Sequence, residues 1–110
     1  MKFEYLETSD PGMHWMRSYY RKNPQLNRAK ALAALQRAEL NIAEFPTVGH
    51  RYQDMENVLE YRIDGTSFSL LYTLARDTVW VIDVRDQRGL RSAEALRLFA
   101  RELRQRYGII

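Results

Sequence analysis

Arginine is the residue type with the widest chemical reach in this chain. Arg51, Arg62, Arg85 and Arg88 fall at or within a succession of strand-like segments. A guanidinium offers a planar fork of donors that can hold phosphates and stabilise negative charge in a phosphoryl-transfer transition state. Further arginines follow at positions 91, 97, 101, 104 and 106. From residue 85 to 110 seven arginines stand against Asp86, Glu94 and Glu102, while residues 1–84 hold ten Lys/Arg against eleven Asp/Glu. The formal charge of +3 is therefore concentrated in the last quarter of the chain. Such a basic stretch suits an acidic partner, whether protein or nucleic acid, and reads equally as a solvated helix face.

Other chemistries find little support. His14 and His50 lie far apart, and neither has the spacing of a paired metal ligand. The absence of cysteine excludes a disulfide framework, a thiolate metal site and a thiol nucleophile. There is no glycine-rich phosphate loop and no nucleophile elbow, although a Ser-His-Asp grouping stays open. No cofactor and no metal are expected. The first residues lack the apolar core of a signal peptide, and no apolar run has the length of a membrane span. The expectation is a soluble, cytoplasmic protein.

The arginines must be positioned by a small set of elements. Lys2 to Glu7 alternates as a strand with one buried face carrying Phe3 and Tyr5. Ser9-Asp10-Pro11 opens a helix in which Met13, Met16 and Tyr20 follow at helical spacing, ending near Lys22. Asn23 can cap a second helix, with Pro24 at its first position and an end near Glu44. Two apolar seams run along it: Leu26, Ala29, Ala33 and Leu40, and Ala31, Leu35, Ala38 and Ile42. The polar strip Lys30, Arg37 and Asn41 separates them on one side. Two seams imply two neighbours, the sheet and the first helix. The second seam could equally serve a homodimer or another partner.

Phe45-Pro46 ends that helix, Gly49 turns the chain, and His50-Arg51-Tyr52 reads as a loop. Three strands follow at 58–63, 68–74 and 79–85. The breaks between them are too short for crossover helices, which predicts an antiparallel meander. In the last strand Val79, Val81, Asp83 and Arg85 alternate with Trp80, Ile82 and Val84. Both faces carry apolar residues, so both need cover. A final helix starts at the N-cap Ser92, runs to Tyr107 and stops at Gly108, with Arg97, Arg101 and Arg104 forming one ridge. The predicted fold class is α+β, one domain over residues 1–110: an N-terminal strand, an αα-hairpin, a three-stranded antiparallel meander and a C-terminal helix over 92–107.

This order resembles the RelE/ParE superfamily of type II toxin–antitoxin toxins over about residues 3–88. Tyr19-Tyr20-Arg21-Lys22-Asn23-Pro24 resembles the family's joint between helices. Ile42-Ala43-Glu44-Phe45-Pro46-Thr47-Val48-Gly49 resembles its helix exit. Glu60-Tyr61-Arg62, Phe68-Ser69-Leu70-Leu71-Tyr72 and Val79-Trp80-Val81-Ile82-Asp83-Val84 resemble its three strands. The Asn-Pro joint, the long helical hairpin and the Pro-x-x-Gly exit place the resemblance closer to the ParE branch.

That resemblance implies a growth-inhibiting, plasmid-stabilising toxin. It would inhibit a bacterial topoisomerase, DNA gyrase, by binding, without a hydrolytic site of its own. A cognate antitoxin would neutralise it, wrapping it by helix-in-groove and strand-addition contacts. Target contact would then fall to Arg85, Arg88, Arg91, Arg97, Arg101 and Arg104. The alternative is a RelE-like, ribosome-dependent mRNA endonuclease in which Arg51, Arg62 and Arg85 are the catalytic set around the scissile phosphate. Acid–base work would pass to His50 or Tyr107, because Arg85-Asp86-Gln87-Arg88 stands where that branch carries a His or Tyr. A third reading is a toxin-like fold that serves only as a non-toxic binding module.

Overall fold

A computed structural model describes residues 1–89. The expected helix over 92–107, and with it Arg91, Arg97, Arg101, Arg104 and Tyr107, lies outside the described residues. Strand β1 (Lys2–Tyr5) leads through a single 3-10 turn (Glu7–Ser9) into helix α1 (Asp10–Lys22). Helix α2 (Arg28–Glu44) and strands β2 (His50–Arg51), β3 (Leu59–Arg62), β4 (Phe68–Ala75) and β5 (Thr78–Asp86) follow. The strands form one sheet in the order β1-β5-β4-β3-β2. The hairpin partners are antiparallel, and β1 runs parallel to β5, with Phe3 beside Val79 and Tyr5 beside Val81. The α+β class expected from the sequence is the one observed, as two helices against a five-stranded sheet.

The helical pair covers one face of the sheet. Met16 and Tyr20 of α1 and Ala31, Ala34, Leu35, Ala38 and Ile42 of α2 meet Phe68, Leu70, Tyr72, Val79, Val81 and Val84. Of the two predicted seams on α2, only the one through Ala31, Leu35, Ala38 and Ile42 is buried. The other is unpartnered: Leu26 is 37% exposed and Leu40 is 71% exposed. A helix lying flat on a sheet buries one stripe, and its alanines bring it close enough for α1 to pack alongside the same stripe.

The joint between the helices differs from the predicted one. Asn23 does not cap α2. Its side-chain amide donates to the Tyr19 carbonyl at 2.8 Å and so closes the end of α1. Pro24 lies in the connecting loop, and Asn27 is the true N-cap, accepting from the Lys30 backbone N–H at 3.0 Å. Both asparagines suit a cap, and only the tertiary position of α2 decides between them.

The exit from α2 is fastened to the sheet. Tyr72 Oη donates to the Pro46 carbonyl at 2.8 Å and accepts from the Gly49 N–H at 3.0 Å. Burial raises the Tyr72 pKa, against the lowering effect of the Gly49 donor, so the phenol keeps its proton for this bridge. A Cβ on Gly49 would lie 2.7 Å from that hydroxyl, which is why the turn takes glycine there. His50 and Arg51, expected in a loop, instead pair with Glu60 and Leu59 as a short outer strand.

The alternation predicted for β5 is broken. The register against β4 shifts between Leu71, opposite Asp83, and Tyr72, opposite Val81, leaving Ile82 as an extra residue. A bulge of this kind reverses the facing of all later side chains. Val84 therefore joins Val79 and Val81 beneath the helices, and Arg85 turns to the reverse face with Trp80 and Ile82. That face is covered in part by Leu6 and by the loop from Tyr52 to Val58, which close a second cluster over Leu71 and Ile82.

Helix α1 crosses the bulge at Gly12, which is buried. A Cβ there would lie 2.5 Å from Asp83 Oδ1, 2.5 Å from the Val84 carbonyl and 2.9 Å from the Val84 nitrogen. Two of these three contacts are with backbone, so the strand cannot yield as a flexible side chain would. Gly12→Ala is therefore expected to destabilise the fold by about 1–3 kcal/mol, despite alanine's better helix propensity. Chemical denaturation would show this as a lower midpoint at an unchanged slope.

Candidate functional site: the arginine-bearing end of the sheet

The final strand ends on a buried carboxylate. Asp86 is 1% exposed, and its oxygens collect donors from two directions. Arg88 grips it as a fork, Nε to Oδ1 at 2.9 Å and Nη2 to Oδ2 at 2.7 Å, and the Arg88 backbone N–H adds a bond to Oδ1 at 3.0 Å. From α1, the Trp15 indole N–H donates to Oδ2 at 2.9 Å. The Arg88 guanidinium also lies over the Tyr19 ring, 3.8 Å from its centroid, in a cation–π contact. Burial would raise the Asp86 pKa. The bonds from Arg88 and Trp15 outweigh that effect and hold it at about 2.

Arg85 is engaged in a different way, on the opposite face. Its Nη1 donates to Glu60 Oε2 at 2.8 Å. Ser69 Oγ donates to the same oxygen at 2.7 Å, and the Gln87 side-chain amide donates to Ser69 Oγ at 3.1 Å. Tyr52 lies beside the guanidinium, 5.6 Å from its carbon to the ring centroid. The bulge makes this network possible. Arg62, Ser69 and Arg85 lie directly across from one another on three adjacent strands, and His50 lies across from Glu60 in the neighbouring row. Directly paired residues share a face of a sheet. The reverse face thus carries His50, Glu60, Arg62, Ser69 and Arg85 together.

Arg51 does not join them. It pairs with Leu59, which faces the helices, so it stands on the other side of the sheet from Arg62 and Arg85. The set predicted for phosphate cleavage is therefore split across the sheet, and its best-placed member is bound to Glu60. Arg85 and Arg88, predicted as target contacts, lie on opposite faces and serve internal ion pairs. His14 is exposed on α1, and no group of three or more possible metal ligands occurs among the described residues. No helix among those residues is long and apolar enough to cross a membrane.

Sequence reasoning passed over Asp86, Trp15, Glu60 and Ser69. Trp15 is 37% exposed and acts through its N–H. The Glu60–Ser69–Arg85 contact depends on a bulge that leaves no mark on the apolar pattern.

The helical pair contributes a second surface. Between α1 and α2 a shallow groove of about 250 Å³ is lined by Met13, Met16, Arg17, Arg28, Leu32 and Leu35, among others. Its floor is apolar and its rim carries two arginines. Leu32 is 55% exposed along it.

Comparison with known proteins adds a family. A family model described as the ParE toxin of type II toxin-antitoxin system, parDE, matches residues 15–91. The matched stretch runs from the Trp15 anchor in α1, through the whole meander, and past Arg88. No curated protein matches the chain.

The Asp86 carboxylate yields a pH prediction. Its folded pKa is depressed from the ordinary 3.8 to about 2. Its stabilising contribution is thus complete above pH ~4 and is lost as the pH falls through ~2, amounting to about 2 kcal/mol. Asp86→Asn is expected to remove about that much stability at neutral pH and to flatten the stability profile between these limits. Unfolding measured across that pH range on both proteins checks it.

Proposed function

The chain belongs to the ParE toxin family of type II toxin–antitoxin systems, and from that premise we propose that it inhibits DNA gyrase by binding, with no hydrolytic step of its own. A cognate antitoxin neutralises it. The observation that carries the binding reading is the state of the arginines. Arg85 is held by Glu60, Arg88 is held by Asp86, and Arg51 faces away from both Arg62 and Arg85. Three cations that must converge on one scissile phosphate fit this arrangement poorly. Contact with the target then falls to the rest of the expected set, Arg91, Arg97, Arg101 and Arg104.

The antitoxin has a suitable seat in the groove between α1 and α2. An amphipathic helix would lay its apolar face on Met13, Met16, Leu32 and Leu35, with acidic residues meeting Arg17 and Arg28. Charge complementarity selects a partner with acidic flanks.

A second reading keeps one observation in its favour. His50, Glu60, Arg62 and Arg85 share the reverse face, which is where an mRNA endonuclease would gather its groups. The Glu60–Arg85 ion pair weighs against it, since a carboxylate already on the guanidinium competes with phosphate for the same donors.

Purified full-length chain added to a gyrase supercoiling reaction is expected to inhibit it, or to trap cleaved DNA, at micromolar concentration. Full supercoiling at that concentration, with codon-phased cuts in translated messages, would replace this reading with the second one.

A further inference from the structure

The polar strip of α2 has a use that the toxin reading does not take up. Asn41 is tied to the sheet, its side-chain amide donating to Tyr61 Oη at 2.9 Å. The other two members, Lys30 and Arg37, are exposed, and neither has an ion-pair partner among the described residues. They line a cleft of about 450 Å³ that runs between α2 and the turn joining β3 to β4. Asp64 and Ser67 of that turn, Leu26 and Tyr20 also line it. Its volume falls within the range of small-molecule sites.

We propose that this cleft binds a nucleoside phosphate, either free or as part of a single strand. Lys30 and Arg37 stand seven residues apart on one helix, roughly 10 Å along its axis, and their long side chains can close on phosphate oxygens from two sides. Ser67 supplies a hydroxyl donor from the facing turn. Leu26, 37% exposed at the mouth, and Tyr20 give an apolar wall against which a base can lie flat. Asp64, in the same cleft, can accept hydrogen bonds from ribose hydroxyls or base N–H groups. Cations, an apolar wall and one acceptor together match phosphate, base and sugar. The inference rests on the fold alone and is independent of the gyrase reading.

Titrating isotope-labelled full-length chain with AMP is expected to move the amide resonances of Lys30, Arg37, Thr66 and Ser67 saturably. Adenosine and inorganic phosphate, each lacking one half of the ligand, are expected to bind more weakly. The double variant Lys30→Ala, Arg37→Ala is expected to lose at least about tenfold in affinity with an unchanged thermal midpoint, because both side chains are exposed. A single-stranded oligonucleotide competing at lower concentration than AMP assigns the site to a strand, and the reverse order assigns it to the free nucleotide. The proposal is overturned by the absence of saturable shifts at millimolar AMP. It is equally overturned by undiminished binding to the double variant, or by inorganic phosphate binding as tightly as AMP.

Discussion

The carboxylate of Asp86 is the point at which the sheet and the first helix become one structure. A buried anion is costly unless its oxygens are filled, and here they are filled from both sides, by Trp15 of α1 and by Arg88 beyond the strand end. The carboxylate reaches the helical face only because the bulge at Ile82 reverses the facing of β5. Gly12 lets α1 come down onto the same bulge, so the glycine, the bulge and the carboxylate are parts of a single constraint. The same reversal sends Arg85 to the opposite face, where Glu60 and Ser69 receive it. One irregularity in one strand thus determines the environment of both arginines at the sheet end.

The elements were legible in the sequence because they depend on local signals. The hairpin breaks at 64–67 and 75–78, the Pro-x-x-Gly exit and the apolar stripe through Ala31, Leu35, Ala38 and Ile42 are written in residue type and period. The misreadings share a different origin. Asn23 and Asn27 are equivalent as caps until α2 has a place on the sheet. Leu26 and Leu40 look like a seam because apolar spacing does not say whether a neighbour exists. The register of β5 is the clearest case. An unbroken hairpin from its two-residue turn would set Ser69 opposite Val84, and the observed partner is Arg85. Sequence patterning carries no signal for that single-residue shift, so the fate of both arginines was hidden with it.

Membership of the ParE toxin family and a fold in which Arg85 and Arg88 are internally paired are consistent with each other. A protein that acts by holding a target needs a rigid platform and surfaces left open on it. The described residues supply both: a five-stranded sheet fastened to its helices by Asp86, Tyr72 and the Tyr5–Glu39 hydrogen bond of 2.7 Å, and an open groove along the helical hairpin. Function on this account lies in what the platform presents, while the conspicuous cations of the last strand maintain its shape.

The most direct test of that division of labour is gyrase inhibition by the double variant Glu60→Gln, Arg85→Gln, which removes the pair as a neutral unit. The account predicts inhibition equal to that of the unaltered chain, with folding verified by thermal unfolding. A folded double variant that no longer inhibits gyrase would contradict it, because Arg85 would then be meeting the target rather than Glu60.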